Sequence, residues 1–308
     1  MKISRVQPAK LSADKVQGLT GDSFFASPGF MELWRPMGGE PVFWVARHDE
    51  DIVALMPGVE FGHRPLKRFQ SMPDGCYGCI FFSYHHPADN RATSRLLAHE
   101  LAKAGYAKTF IHDYDGCFDG VVGYRKRECM TLVADIRSAD WVPPDKKIQS
   151  EIRKAEREEV SYCAFDAERH MEKFLSLMTA TEKRHSRRPR YSREFFEALA
   201  ILAEKDDRVI WWWCERDEQP VTSHINFIER DMVLNWQVYY DKAFSHLKAN
   251  QYLLCRLAQE SAKRGIKKLN LGGSPFDAGG LTEYKEKWGS KPHHYKCYFL
   301  KSGLGKLL

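Results

Sequence analysis

The sequence predicts a mixed α/β fold, built as two tandem three-layer domains related by internal duplication. Three observations carry this. Each half of the chain runs through a hairpin, a further strand, a helix and another strand. The two helices end alike, as Ala102-Lys103-Ala104-Gly105-Tyr106-Ala107-Lys108 and as Ala262-Lys263-Arg264-Gly265-Ile266-Lys267-Lys268, so both read AKxGxxK before a strand. Between the halves lies ADWVPPDKK (Ala139–Lys147), whose Pro-Pro pair interrupts any regular element. Strands in series, then a helix, then a strand beside its predecessors give a layered α/β domain. The expected domains are residues 1–143 and 144–308.

The elements follow in order. Ser27-Pro28 opens a short helix to Trp34 as a cap and first-turn pair. Pro41–Arg47 and Ile52–Val59 flank the polar turn HDED and form a hairpin. Cys79–Tyr84 is the next strand candidate. Leu96, Leu97, Leu101 and Ala104 recur at helical spacing before Gly105, and Lys108–Tyr114 is the strand beyond. In the second half, helices are expected around 171–182 and 193–204. Strands follow at Arg208–Arg216, Pro220–Glu229 and Met232–Tyr240. A helix with Leu253, Leu254, Leu257 and Ala258 on one face ends at Gly265, and Lys267–Gly273 is the last strand.

Composition narrows the class. With 43% hydrophobic and 29% charged residues the chain is an ordinary globular protein rather than a disordered one. No run of about 18 apolar residues suits a membrane helix. The opening MKISRVQPAKLSADK has no apolar stretch after its positive residues, so a cytoplasmic location is expected. The net charge of +6 is clustered, which points to an anionic partner. Of eight cysteines only Cys76 and Cys79 are neighbours, and no second pair or spaced histidines accompany them. His85 and His86 are adjacent, not spaced as ligands. Reduced core thiols, with no metal, are the expectation.

Four stretches together resemble the FemAB-like branch of the GNAT superfamily, the peptidoglycan-bridge aminoacyl transferases and related acyltransferases. They are Ser23–Trp34, the basic helix Lys146–Val160, Thr181–Leu199 and the glycine-rich Leu271–Gly289. In the last, Tyr284-Lys285 stands where the family has Phe-Lys, and Trp288-Gly289 where it has Phe-Gly. Two family features are missing: the coiled-coil arm of some bridge-forming members and the Q/RxxGxG/A acyl-CoA loop, whose place is taken by His246–Leu253. The resemblance implies a bacterial N-acyltransferase with no tightly bound cofactor. Acyl-CoA or aminoacyl-tRNA would be co-substrate, and an amine of a cell-envelope or related small molecule the acceptor. The second domain would carry the site, and the first would have a degenerate donor site.

Acyl transfer to an amine requires a proton acceptor and a group that stabilises the oxyanion. By resemblance Lys285 is the stabilising lysine, with Lys287 as its rival and Trp288 as a wall. His224 and Asn226 share a strand face with Thr222, and Tyr239, Tyr240 and Asp241 end the neighbouring strand. His224 and Tyr239 are the candidates for handling the proton. Asn250 reads as the N-cap of its helix with Lys248 before it, a place for a phosphate. Arg184, at the head of the cluster Lys183–Arg193, is expected to frame an anionic groove with Arg153 and Lys154. The alternative from another class is a catalytically silent module that binds RNA or an anionic nucleotide.

Overall fold

The computed structural model describes residues 1–73, 75–84, 89–118, 120–274 and 279–302. His85, His86 and residues 275–278 of the glycine-rich stretch lie outside the described residues. In chain order the elements are β1 (Lys2–Val6), α1 (Ala13–Thr20), α2 (Pro28–Glu32), β2 (Gly39–His48), β3 (Asp51–Phe61), β4 (Arg68–Ser71), β5 (Phe81–Phe82), α3 (Asn90–Lys103), β6 (Lys108–Asp113) and β7 (Arg125–Asp135). Then come α4 (Lys146–Arg157), β8 (Cys163–Ala164), α5 (Ala167–Arg184), α6 (Arg193–Lys205), β9 (Val209–Arg216), β10 (Gln219–Glu229), β11 (Met232–Tyr240), α7 (Ala249–Lys263), β12 (Lys268–Asn270), α8 (Gly279–Glu286) and β13 (Lys291–Lys301). The class is therefore mixed α/β. Among the described residues no helix is long and apolar enough to cross a membrane.

The chain forms two compact units, residues 1–129 with 294–308, and residues 130–293. The division expected at 143/144 falls within the second unit. The Pro-Pro pair is a local break, but strand pairing decides the units. Val133–Asp135 of β7 pairs with Lys268–Asn270 of β12 in the second unit. Lys296–Lys301 of β13 pairs with Lys108–Asp113 of β6 in the first.

In the first unit the strand order is β1-β2-β3-β4-β6-β13, with β5 on β3. The β2–β3 hairpin turns at Asp49, whose φ is 53°. The chain β2-β3-β4 is antiparallel, α3 follows, and β6 returns parallel to β4. Asp89 caps α3 by accepting from Arg91 N and Ala92 N. Leu97 and Leu101 of α3 pack on Trp44, Met56, Phe69, Ile111 and Tyr298. Glu60 is buried in this sheet with Arg5 at 2.6 Å, Lys67 and the Tyr106 hydroxyl. Burial alone would raise its pKa, yet these partners hold it below the usual carboxylate range.

In the second unit the order is β7-β12-β11-β10-β9-β8. Here too three antiparallel strands, β9-β10-β11, precede a helix, α7, and a strand, β12, parallel to the third. Helices cover both faces of this sheet. Ile148 and Ile152 of α4 and Leu254, Leu257 and Ala258 of α7 pack on Val233 and Leu269 on one side. On the other, Phe174 of α5 and Phe196 of α6 meet Trp211 and Tyr239. Asp145, Asp166 and Ser192 cap α4, α5 and α6.

Two glycines with opposite surroundings test this packing. A Cβ at Gly78 would stand 2.5 Å from the Ser71 carbonyl oxygen, whereas one at Gly18 in α1 meets nothing within 4 Å. Gly78→Ala should destabilise the protein by about 1–3 kcal/mol, as overpacking does. Gly18→Ala should stabilise it by about 0.5–1 kcal/mol. Urea denaturation of both variants reads the two signs.

Candidate functional site

The parallel pair β11–β12 is bonded only from Met232 to Leu234 against Lys268 to Asn270. Beyond this point β11 continues without β12, paired only with β10. A cavity of about 430 Å³ opens there, lined by β10, the end of β11, the start of α7, Leu271 and α8. Among its walls are Thr222, His224, Asn235, Tyr240, Asn250 and Lys285.

Lys285 sits on the inner face of α8 and is 8% exposed. Its Nζ donates to the carbonyl oxygens of Gly272 at 3.0 Å and Gly273 at 2.7 Å. Those carbonyls are presented by a turn with Gly272 at φ 72°, a conformation glycine adopts without strain. Asn270, fully buried, holds the turn by accepting from Gly272 N at 2.8 Å. Burial lowers the Lys285 pKa to about 8. Carbonyl dipoles are its only partners among the described residues. Lys287, its rival by sequence, is exposed.

His224 is 1% exposed on β10, and burial lowers its pKa to about 4. Its Nε2 lies 3.2 Å from Asn250 Oδ1, and Thr222 Oγ1 lies 2.6 Å from the same oxygen. With that amide oxygen as acceptor the imidazole carries its proton on Nε2. Nδ1 is then a bare acceptor, and it is buried with no partner among the described residues. The ring is neutral at pH 7. Asn235 donates to Asn226 Oδ1 at 2.8 Å, and Asn226 donates to the Ile210 carbonyl at 3.0 Å.

Asn250 is not the helix cap that the sequence suggests. The chain enters α7 from a 3₁₀ turn, and Lys248 holds the N-cap position in the left-handed region at φ 59°. Asn250 therefore falls in the first turn, with its side chain on His224 and Thr222. Lys248 reaches the cavity, and its ammonium is paired with Glu151 of α4 at 3.0 Å. The first-turn amides of α7 still open toward the cavity end of the helix, with the positive end of its dipole.

Other expected residues stand elsewhere. Tyr239 points to the opposite face of the sheet, where its ring meets Phe174 at 5.4 Å. Its neighbour Tyr240 lines the cavity instead. Arg184 frames no groove: it stacks 4.2 Å over the Tyr240 ring and donates to the Tyr240 carbonyl at 3.1 Å. It acts as a clamp on the end of β11. Arg153 is exposed and Lys154 half-buried on α4, and neither lines the cavity. Within the basic cluster Arg187 pairs with Glu182 and Arg193 with Glu172 and Glu197. Tyr191 is buried, stacked on Phe195 at 4.7 Å. Trp288 is fully buried, stacked on Trp141, and forms core behind α8. Glu151, Asn235 and the Gly272–Gly273 carbonyls belong to the site and were not singled out by sequence. Only the glycine pair carried a local signal.

Residues 145–286, just under half of the chain, match the family described as Acetyltransferase (GNAT) domain. That span includes every residue of the cavity. Among solved structures the fold is similar to FemX, at 12% identity over 100% of both chains with a TM-score of 0.74. L-PGS from Bacillus licheniformis is similar at 12% identity, 96% of this chain and 93% of that one, TM-score 0.61. A tandem GNAT protein from the clavulanic acid biosynthesis pathway matches at 10% identity, 98% and 99% coverage, TM-score 0.60. No curated protein matches the chain by sequence. The family match is thus confined to residues 145–286, and the three solved structures share the fold of the chain.

The depressed His224 pKa has a consequence for stability. The unfolded chain takes up a proton near pH 6.5 and the folded one only near pH 4, so between these values the unfolded state binds more protons. Stability therefore falls as pH drops through this window, by about 3 kcal/mol from this group at most. His112, similarly buried, adds a parallel loss. His224→Gln should flatten the acid limb by the His224 share, read by urea denaturation at pH 7, 5.5 and 4.5. An unchanged limb would mean that His224 is protonated in the folded protein.

Proposed function

We propose that the chain is an N-acyltransferase, with its chemistry in the second unit. It moves an acyl or aminoacyl group from acyl-CoA or aminoacyl-tRNA to an amine of a cell-envelope or related small-molecule acceptor. The observation that carries this reading is Lys285: a buried lysine with no carboxylate partner among the described residues, sharing one cavity with a neutral histidine and a helix start. Perturbed groups that converge in a cavity are the usual mark of a reacting site.

In this reading the amine nitrogen attacks the donor carbonyl carbon. A C–N bond forms, and the C–S bond of a thioester or the C–O bond of an aminoacyl ester breaks. Negative charge develops on the carbonyl oxygen at the tetrahedral stage. Lys285 uses two N–H groups on Gly272 and Gly273 and keeps a third for that oxygen. The nitrogen becomes strongly acidic once it has attacked, so a weak base suffices to take its proton. His224 Nδ1 is such a base, and the leaving sulfur or oxygen receives a proton in turn. The start of α7 and Lys248 suit the donor's phosphates. Tyr239, packed on the far face, has no part in this scheme.

The test couples binding to turnover. A donor that binds only the folded state raises the melting temperature, the equivalent of about 2.7 kcal/mol at 100 times its Kd. CoA, acetyl-CoA and bulk aminoacyl-tRNA are compared, and a steep loss with salt marks the RNA donor. Lys285→Met should keep the shift and lower kcat about 100-fold or more. A protein that binds a nucleotide or RNA but shows no turnover to lose would instead be a silent module. As an oxyanion stabiliser Lys285 must be protonated, so kcat should fall as pH rises through about 8. Lys285→Arg, which stays charged, should move that limb upward. A limb that stays in place assigns it to another group.

A further inference from the structure

In the first unit, strand register brings three cations into one row. Arg68 of β4 is paired with Lys108 of β6, and Lys108 with Lys301 of β13. Strands lie about 4.8 Å apart, so the three side chains rise from one face within about 10 Å. Like charges placed directly opposite destabilise a sheet. Among the described residues none of the three has an ion-pair partner. Their face is opposite the one that α3 covers, because Phe69, Ile111 and Tyr298 carry the packing on Leu97 and Leu101.

Two residues along the same face the row changes character. Phe110 is paired with Phe299, and both are half-buried. Cations and rings together line a groove of about 480 Å³, and Lys126 and Arg127 add two more positive charges at its edge. Among the described residues no carboxylate lines it. The groove thus offers a compact cationic end and an apolar floor.

We propose that this groove binds a lipid phosphate. The phosphate would bridge Arg68, Lys108 and Lys301, relieving their repulsion, and the acyl chain would cover Phe110 and Phe299. A free phosphate would satisfy the cations and leave the rings wet. A polynucleotide asks for cations strung along its backbone, whereas these converge on one bounded groove. The assignment stands apart from the acyltransferase reading, since every residue in it belongs to the first unit.

Octyl phosphate, octyl glucoside and inorganic phosphate, each as monomer, are titrated into the full chain by calorimetry. A 12-nucleotide single-stranded RNA is the fourth probe. Octyl phosphate should bind at least about tenfold more tightly than either the uncharged chain or the bare anion. Lys108→Gln with Lys301→Gln should weaken octyl phosphate by about tenfold or more, as losing charge-assisted contacts does. The melting temperature of the ligand-free double variant should hold or rise, because the row repels itself, and this separates lost binding from lost folding. Phe299→Ala should weaken octyl phosphate and leave inorganic phosphate unchanged. Equal binding of octyl phosphate and octyl glucoside, or of octyl phosphate and inorganic phosphate, would overturn the proposal. So would RNA that binds more tightly than octyl phosphate and is lost with the same lysines.

Discussion

Strands β11 and β12 hold together for only three residues, and the site is a consequence of what fills the gap beyond them. A parallel pair that stops early leaves backbone groups facing each other across open space. Buried backbone groups must find partners. On the β12 side the answer is Asn270, which accepts from Gly272 N and steers the chain toward β7, where Leu271 N bonds to the Leu132 carbonyl. That turn points the Gly272 and Gly273 carbonyls at α8. Lys285 answers them. On the β11 side the gap is bounded by side chains, and Arg184 and Thr181 pin its far end at Tyr240. The cavity is therefore held open by polar contacts at both rims rather than by loose packing.

The two units treat buried charge in opposite ways. Glu60 in the first is met by Arg5, Lys67 and Tyr106, and its carboxylate ends below the ordinary pKa despite burial. That is a structural solution, in which opposite charge offsets desolvation. Among the described residues Lys285 and His224 in the second unit have dipoles for partners but no opposite charge, and both are pushed toward their neutral forms. Lys285 lowers stability at neutral pH and below, and His224 only below about pH 6.5. A fold retains them where the shifted protonation is of use.

Much of the fold is legible in sequence where one signal suffices. The apolar runs 209–216, 219–229 and 232–240 are strands within a residue or two of their expected bounds; the central one is buried on both faces, and its neighbours are buried or half-buried throughout. Strands β7 and β13 escape the same reading. RKRECMTLVAD opens on charge, and KPHHYKCYFLK alternates histidine and lysine with rings, so neither presents an apolar run. Cys79–Tyr84 shows the converse: it looks like a strand, yet only Phe81 and Phe82 find a ladder partner in β3. The unit boundary was hidden for a related reason. Local propensity marks Pro143-Pro144, while the division depends on β13 pairing with a strand some 190 residues upstream.

The candidate site divides in the same manner. Lys285 and Lys287 differ in placement: α8 turns the first toward the cavity, while the second follows the end of the helix and is exposed. Tyr239 against Tyr240 is not a question that alternation can answer. Opposite Ile225 and Asn226 of β10 stand Gln237 and Asn235 of β11, so Trp236 is an extra residue without a partner in the ladder. A bulge of one residue reverses the in-out pattern of everything after it. Before it, Asn235 faces the cavity; after it, Val238 and Tyr240 do. Unbroken alternation from Asn235 would have turned Gln237 and Tyr239 inward. The bulge instead sends Tyr239 into the aromatic core with Phe174 and gives the cavity Tyr240, the residue that Arg184 clamps. Trp236 itself packs on Phe227 and Tyr191, so the irregularity is anchored by core aromatics rather than by the site it reshapes.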